Sequence, residues 1–160
     1  MKRLALLLLP GLVAGCGGEG AGPGEQADVA RLREAPLALG RWSVGTLDDV
    51  PAAVFGPEPG VAHLLVYCDA GRLRLVRAGR VSGGAGHMRV VTDAGEELLD
   101  ARRAPERPDM VEALLPLDRP VGQRIASGPV RIGVAVDRGA LLVTPGDARV
   151  ATFARDCAGR

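Results

Sequence analysis

Aromatic side chains are almost missing from this 160-residue chain: Trp42, Phe55, Tyr67 and Phe153 are the whole set. That scarcity argues against the stacking platforms that hold single-stranded nucleic acids or sugars. Lysine occurs once, at Lys2, and asparagine not at all, which reads as a GC-rich coding bias with arginine in lysine's place. No excess of one charge sign exists either. Lys and Arg number 20 against 19 Asp and Glu, and removing Lys2 and Arg3 leaves 18 against 19. No global field therefore draws the chain to nucleic acid or to an anionic membrane surface. No apolar run approaches the about 20 residues that span a bilayer.

What the N-terminus does contain is an address. Lys2 and Arg3 form a positive n-region, and residues 4–13 form an apolar h-region interrupted by Pro10. The sequence Val13-Ala14-Gly15-Cys16 resembles the lipobox of bacterial lipoproteins. That resemblance implies removal of residues 1–15 and acylation of Cys16, palmitate included, so that the protein meets the membrane through its own lipid. Each buried methylene contributes about 0.8 kcal/mol, so a multiply acylated terminus holds where one chain would dissociate. Gly17 stands where inner-membrane retention usually shows aspartate, which implies the periplasmic face of an outer membrane. Residues 16–27 then read as a lipidated cysteine with a flexible, glycine-rich tether reaching about 17–20 Å.

Residues 28–160 suffice for one domain with a real core. With Cys16 acylated, Cys68 and Cys157 remain, and an oxidising compartment allows them one internal pairing. Such a bridge closes a loop of about 90 residues and contributes about 4–5 kcal/mol in the chain-entropy model. The alternative, a redox or metal-ligating pair, lacks the Cys-x-x-Cys spacing.

Turn chemistry recurs along this domain at Asp69-Ala70-Gly71, Asp93-Ala94-Gly95 and Asp137-Arg138-Gly139. Each is flanked by Val and Leu and predicts a β-hairpin with a three-residue, glycine-closed loop. Alternation of Ala62, Leu64, Val66 and Cys68, and of Val130, Ile132, Val134 and Val136, places strands beside them. Another strand fits 111–117, with Val111, Ala113, Leu115 and Leu117 on one face; strands are also expected near 41–44 and 52–55. Asp118 is expected to cap a short helix near 118–127, ended by Gly128 and Pro129. A C-terminal helix near 147–157 begins at an Asp147 cap and aligns Val150, Phe153, Ala154 and Cys157 on one face. Both cysteines then point to a buried face. The expected fold is mainly β: a single antiparallel β-sandwich or meander barrel carrying these two helices.

Four pieces carry a further resemblance: Leu65-Val66-Tyr67-Cys68-Asp69-Ala70-Gly71, Met88-Arg89-Val90-Val91-Thr92, Ala126-Ser127-Gly128, and Ala148-Arg149-Val150 with Asp156-Cys157. In this order, over residues 41–157, the chain is similar to a group of small exported alphaproteobacterial proteins of sphingomonad type. More distantly it resembles β-sandwich proteins associated with invasion or type VI secretion, which also have a late cysteine. These resemblances imply an exported β-rich domain and bring no catalytic residue.

Chemistry-bearing residues are few. His63 and His87 are the only histidines, so metal binding would need carboxylates such as Asp93 or Glu97 to complete a ligand set. Ser82, His87 and Asp93 supply the letters of a hydrolase triad, but Ser82 lies in a glycine-rich loop without a Gly-x-Ser-x-Gly elbow. That loop also lacks the lysine of a phosphate-binding loop. Arg72, Arg74, Arg77 and Arg80 crowd one strand, as a surface for an acidic partner or as charge protecting a sheet edge. Residues 100–109 read as a mixed-charge loop. No metal, cofactor or nucleic acid is expected. The sequence points to a non-catalytic envelope lipoprotein with a binding or structural role, its partner another envelope protein.

Overall fold

The computed structural model describes residues 23–58, 60–81, 83 and 85–159; the signal segment, Cys16 and Ser82 lie outside the described residues. In chain order the elements are α1 (Pro23–Glu34), β1 (Arg41–Leu47), β2 (Val50–Gly56), β3 (Leu64–Asp69), β4 (Arg72–Ala78), β5 (Ala85–Thr92), β6 (Gly95–Ala104), β7 (Arg107–Pro116), α2 (Pro120–Ser127), β8 (Ile132–Val136), β9 (Leu142–Thr144) and α3 (Ala148–Ala158). The nine strands form one sheet in the order β1-β2-β3-β4-β7-β6-β5-β8-β9. Every neighbouring pair is antiparallel. The fold is thus mainly β, as the alternation predicts, with the sheet left open rather than closed into a barrel.

Its two edges, β1 and β9, are drawn together by single bonds. Ala38 N donates to Val143 O at 2.8 Å, Trp42 Nε1 to Pro145 O at 3.0 Å, and Arg149 Nη2 to Trp42 O at 2.8 Å. The curled inner face holds the main core, in which Phe55, Leu64, Leu73 and Leu115 meet Val121 and Ile125 of α2 and Phe153 of α3. Burying such a side chain fully contributes about 1.5–3 kcal/mol. In α3 the predicted face is buried, and the Asp147 carboxylate caps the helix by accepting from Arg149 N at 2.8 Å. In α2 the cap differs from expectation. Arg119 takes the N-cap position without a side-chain bond and Pro120 starts the helix, its fixed φ suiting the first turn. Gly122 sits inside α2 because a Cβ there would meet Pro116 O at 2.2 Å.

The hairpins form where the turn residues predict, with tighter geometry at two of them and a longer connection, residues 137–141, at the third. Asp69 pairs with Arg72, leaving Ala70 (φ 47°) and Gly71 (φ 75°) as a two-residue turn. Thr92 pairs with Gly95 around Asp93 and Ala94. The β1–β2 hairpin turns on Asp48 and Asp49, both at positive φ, so β1 and β2 extend well beyond the short runs expected of them. The run 100–109 is a hairpin rather than a loop: β6 continues to Ala104 and β7 starts at Arg107. Its charges do not prevent strand pairing because they alternate with small residues, leaving Ala101 in the core while Arg102 stays exposed. Helix α1 includes Pro23 to Ala27, which composition assigns to the tether, and its Leu32 is buried with Val91 and Val143 on the outer face of the sheet.

Candidate functional site

Period-two alternation divides β4 between the two faces. Leu73 and Leu75 enter the core, whereas Arg74 and Val76 stand on the outer face beside Tyr67 of β3 and Glu112 of β7. A second, smaller apolar cluster forms there from Ala52, Leu65, Tyr67, Val76 and Ala104, on a part of the sheet away from α1. A charged group adjoins it. The Arg74 guanidinium lies 4.7 Å from the Tyr67 ring centroid, and its Nη1 is 3.7 Å from Glu112 Oε2. Arg102 Nε of β6 donates to Glu112 Oε1 at 2.8 Å. Glu112 is 5% exposed at its side chain, against 36% for Arg74 and 71% for Arg102. A buried carboxylate is costly unless paired, and two guanidiniums meet that need. Arg74 itself is less well supplied: its Nε is buried and has no hydrogen-bond partner.

Cavities surround this group. One of about 250 Å³ lies between the β1–β2 and β6–β7 turns, with Tyr67, Val76, Arg74 and Glu112 in its lining. A neighbour of about 320 Å³ shares Leu47 and Arg107 with it and extends over Val54 and Leu65. Arg107 Nη2, 3.3 Å from Asp48 Oδ2, joins the two turns above the sheet. An open depression of about 490 Å³ continues past Arg74, Arg102 and Glu112. The result is an outer-face groove with an apolar floor and both signs of charge, suited to holding a ligand. Glu112 is held by two arginines, so it is poorly placed to act as a base.

No family model, curated protein or solved structure matches this chain.

Of the residues singled out by sequence, the cysteines come together. Cys68 of β3 and Cys157 of α3 form a disulfide with Cα atoms 5.4 Å apart, tying the last helix to the sheet. The arginines do not share a surface. Arg72 is exposed beside the β3–β4 turn, Arg74 stands in the groove and Arg80 is exposed beyond the strand. Arg77 points the other way. Its Nη1 donates to Val134 O and its Nη2 to Ala140 O at 2.9 Å, so it braces β4 against β8 and the loop beyond, and burial lowers its pKa. Edge protection does not describe the folded strand either, because β4 lies between β3 and β7.

His63 and His87 are both exposed, and β4, β7 and β6 intervene between β3 and β5 in sheet order. His87 and Asp93 stand six residues apart along β5 and its turn, about 20 Å in extended chain, and Asp93 is engaged by Arg124 at 2.6 and 3.1 Å. Asp93 therefore does not orient His87 as a triad acid would. Glu97 is half-buried on β6, opposite Val90. Among the described residues no three His, Cys, Asp or Glu side chains gather where they could hold a metal ion. Sequence reasoning missed Glu112 and Tyr67. The available signal was a lone acid at an outward position of the strand read over 111–117, with arginines at outward positions elsewhere.

Proposed function

We propose that this chain is a lipid-anchored protein of the bacterial envelope whose folded domain binds a ligand or partner rather than catalysing a reaction. The outer-face groove carries the binding part of this reading: it combines an apolar floor with the Tyr67–Arg74–Glu112–Arg102 group, an arrangement typical of ligand pockets. The lipobox-like run ending at Cys16 supports the anchor. The Cys68–Cys157 bridge supports an oxidising compartment, where such bridges persist. Attachment confines the domain near a membrane, raising its effective concentration for whatever is presented there, so a modest intrinsic affinity suffices. The periplasmic face of the outer membrane is the proposed site, from Gly17 after Cys16.

Two measurements test the reading. Labelled palmitate should enter the parent protein and not Cys16→Ser, and the variant should leave the membrane fraction; unchanged partition without label in the parent defeats the anchor. Crosslinking in cells should capture an envelope component with the parent and lose it with Arg74→Glu. An identical set of captured components from both would remove the groove from the function. A turnover activity abolished by His87→Ala in a folded protein would defeat the non-catalytic reading.

A further inference from the structure

We propose that the cavity between the β1–β2 and β6–β7 turns is a receptor for a small zwitterion, an amino acid or dipeptide bearing an aliphatic side chain. This deepens the binding reading by naming the ligand class, and it rests on that reading.

Size is the first argument. At about 250 Å³ the cavity falls below the about 300–1,000 Å³ in which drug-sized ligands sit, so its occupant is smaller. Charge is the second. The lining holds three carboxylates, Asp48, Glu106 and Glu112, and two guanidiniums, Arg74 and Arg107. Asp48 and Arg107 are paired with each other and Glu112 with Arg102, which leaves Arg74 and Glu106 for a ligand. A ligand with one charge of each sign is complementary to those two, and complementarity of this kind selects partners.

Unspent bonding capacity is the third. Arg74 Nη1 sits 3.7 Å from Glu112, too far for a hydrogen bond, and the side chain is partly exposed, so the end of its guanidinium keeps donors that a carboxylate can take. The Tyr67 ring beneath holds the guanidinium plane in place. Opposite, Glu106 is exposed at its turn without an ion pair or hydrogen bond among the described residues, leaving its carboxylate open to an ammonium group. In the same lining Val76, Leu47 and Val50 offer apolar surface to an aliphatic side chain. The Asp48–Arg107 pair over the mouth is largely exposed, and such pairs are weak enough to part as a ligand enters.

Calorimetry on the disulfide-intact protein tests the assignment, with leucine, Ala-Leu, N-acetyl-leucine, leucinamide and octanoate as probes. Leucine or Ala-Leu is expected to bind at about 1 mM or below, and the comparison of the two separates a free amino acid from a dipeptide. Blocking the carboxylate should weaken binding about tenfold, because Arg74 is only partly exposed, and blocking the amine should weaken it by less, because Glu106 is exposed. Arg74→Gln should weaken leucine binding about tenfold, measured below its thermal midpoint because Glu112 loses one of its two guanidiniums. Should that variant fold poorly, Val50→Trp at the exposed rim narrows the mouth with no charge changed, and it should abolish binding. Absence of binding by both zwitterions, equal binding of the blocked forms, or tighter binding of octanoate overturns the proposal. If an envelope component is still captured by the parent protein while both zwitterions fail, the ligand class falls and the binding reading stands.

Discussion

Arg74 and Arg77 lie three residues apart on β4 and face opposite sides of the sheet, the first in a groove and the second bracing β4 against β8. Residue type alone gives both the same partner-surface reading; the alternation of the strand separates them. Asp147 shows how much one side chain can do locally. It caps α3, and the hydrogen bond from the Arg149 side chain, aided by the nearby positive charge, holds its carboxyl below the ordinary carboxylate range. A depressed folded pKa means that the ionised form stabilises the fold. The contribution is complete above about pH 4 and is lost as pH falls through the folded value. Asp147→Ala is expected to cost about 1 kcal/mol at neutral pH. Urea midpoints of parent and variant should converge as pH falls through that lowered value, and a gap that persists in strong acid would assign the effect to something other than the charged cap.

At the scale of elements, turn chemistry was the most legible feature. Asp with Gly two residues later marked the β3–β4, β5–β6 and β8–β9 connections, because few other residues accept the backbone these turns require. The α3 helix was legible for a similar reason, its cap and its apolar spacing agreeing. The β1–β2 turn was less so, since Asp48 and Asp49 adopt positive φ without glycine, which aspartate tolerates at some cost. Asp49→Gly should therefore stabilise the protein by about 0.5–1 kcal/mol while Asp48 keeps its pairing with Arg107. A raised urea midpoint at unchanged m-value is the expected record; a lowered midpoint would show that the Asp49 side chain is needed. The β6–β7 hairpin was hidden because its charges resemble a loop until the groove shows where they point. Glu112 and Tyr67 stayed hidden for a deeper reason. Their significance depends on register across β3, β4, β7 and β6, and β4 and β7 are not consecutive in sequence.

For the molecule as a whole, the Cys68–Cys157 bridge links residues 89 apart and joins α3 to the sheet. Replacing both cysteines with alanine, or adding reductant, should lower stability by about 2–5 kcal/mol, a large share of the about 5–15 kcal/mol that a domain possesses. Coincident urea curves with and without reductant would contradict this. The strand order has another outcome, which concerns the time before the sheet is complete. In the sheet β1 to β4 are sequential neighbours, a local meander, whereas the second neighbour of β4 is β7, which comes much later in the chain. Until β7 folds back, so that Arg72 meets Pro116 and Ala78 meets Met110, the far side of β4 is an open edge carrying Leu73, Leu75 and Val76. Arg72, Arg74 and Arg77 interrupt that apolar edge during the interval, acting as gatekeepers against pairing with a neighbouring chain. Arg72→Val should then refold with a yield that drops as protein concentration rises, while its urea midpoint stays near the parent's. Charge that guards no edge in the finished sheet would thus act earlier, keeping the folding chain solitary.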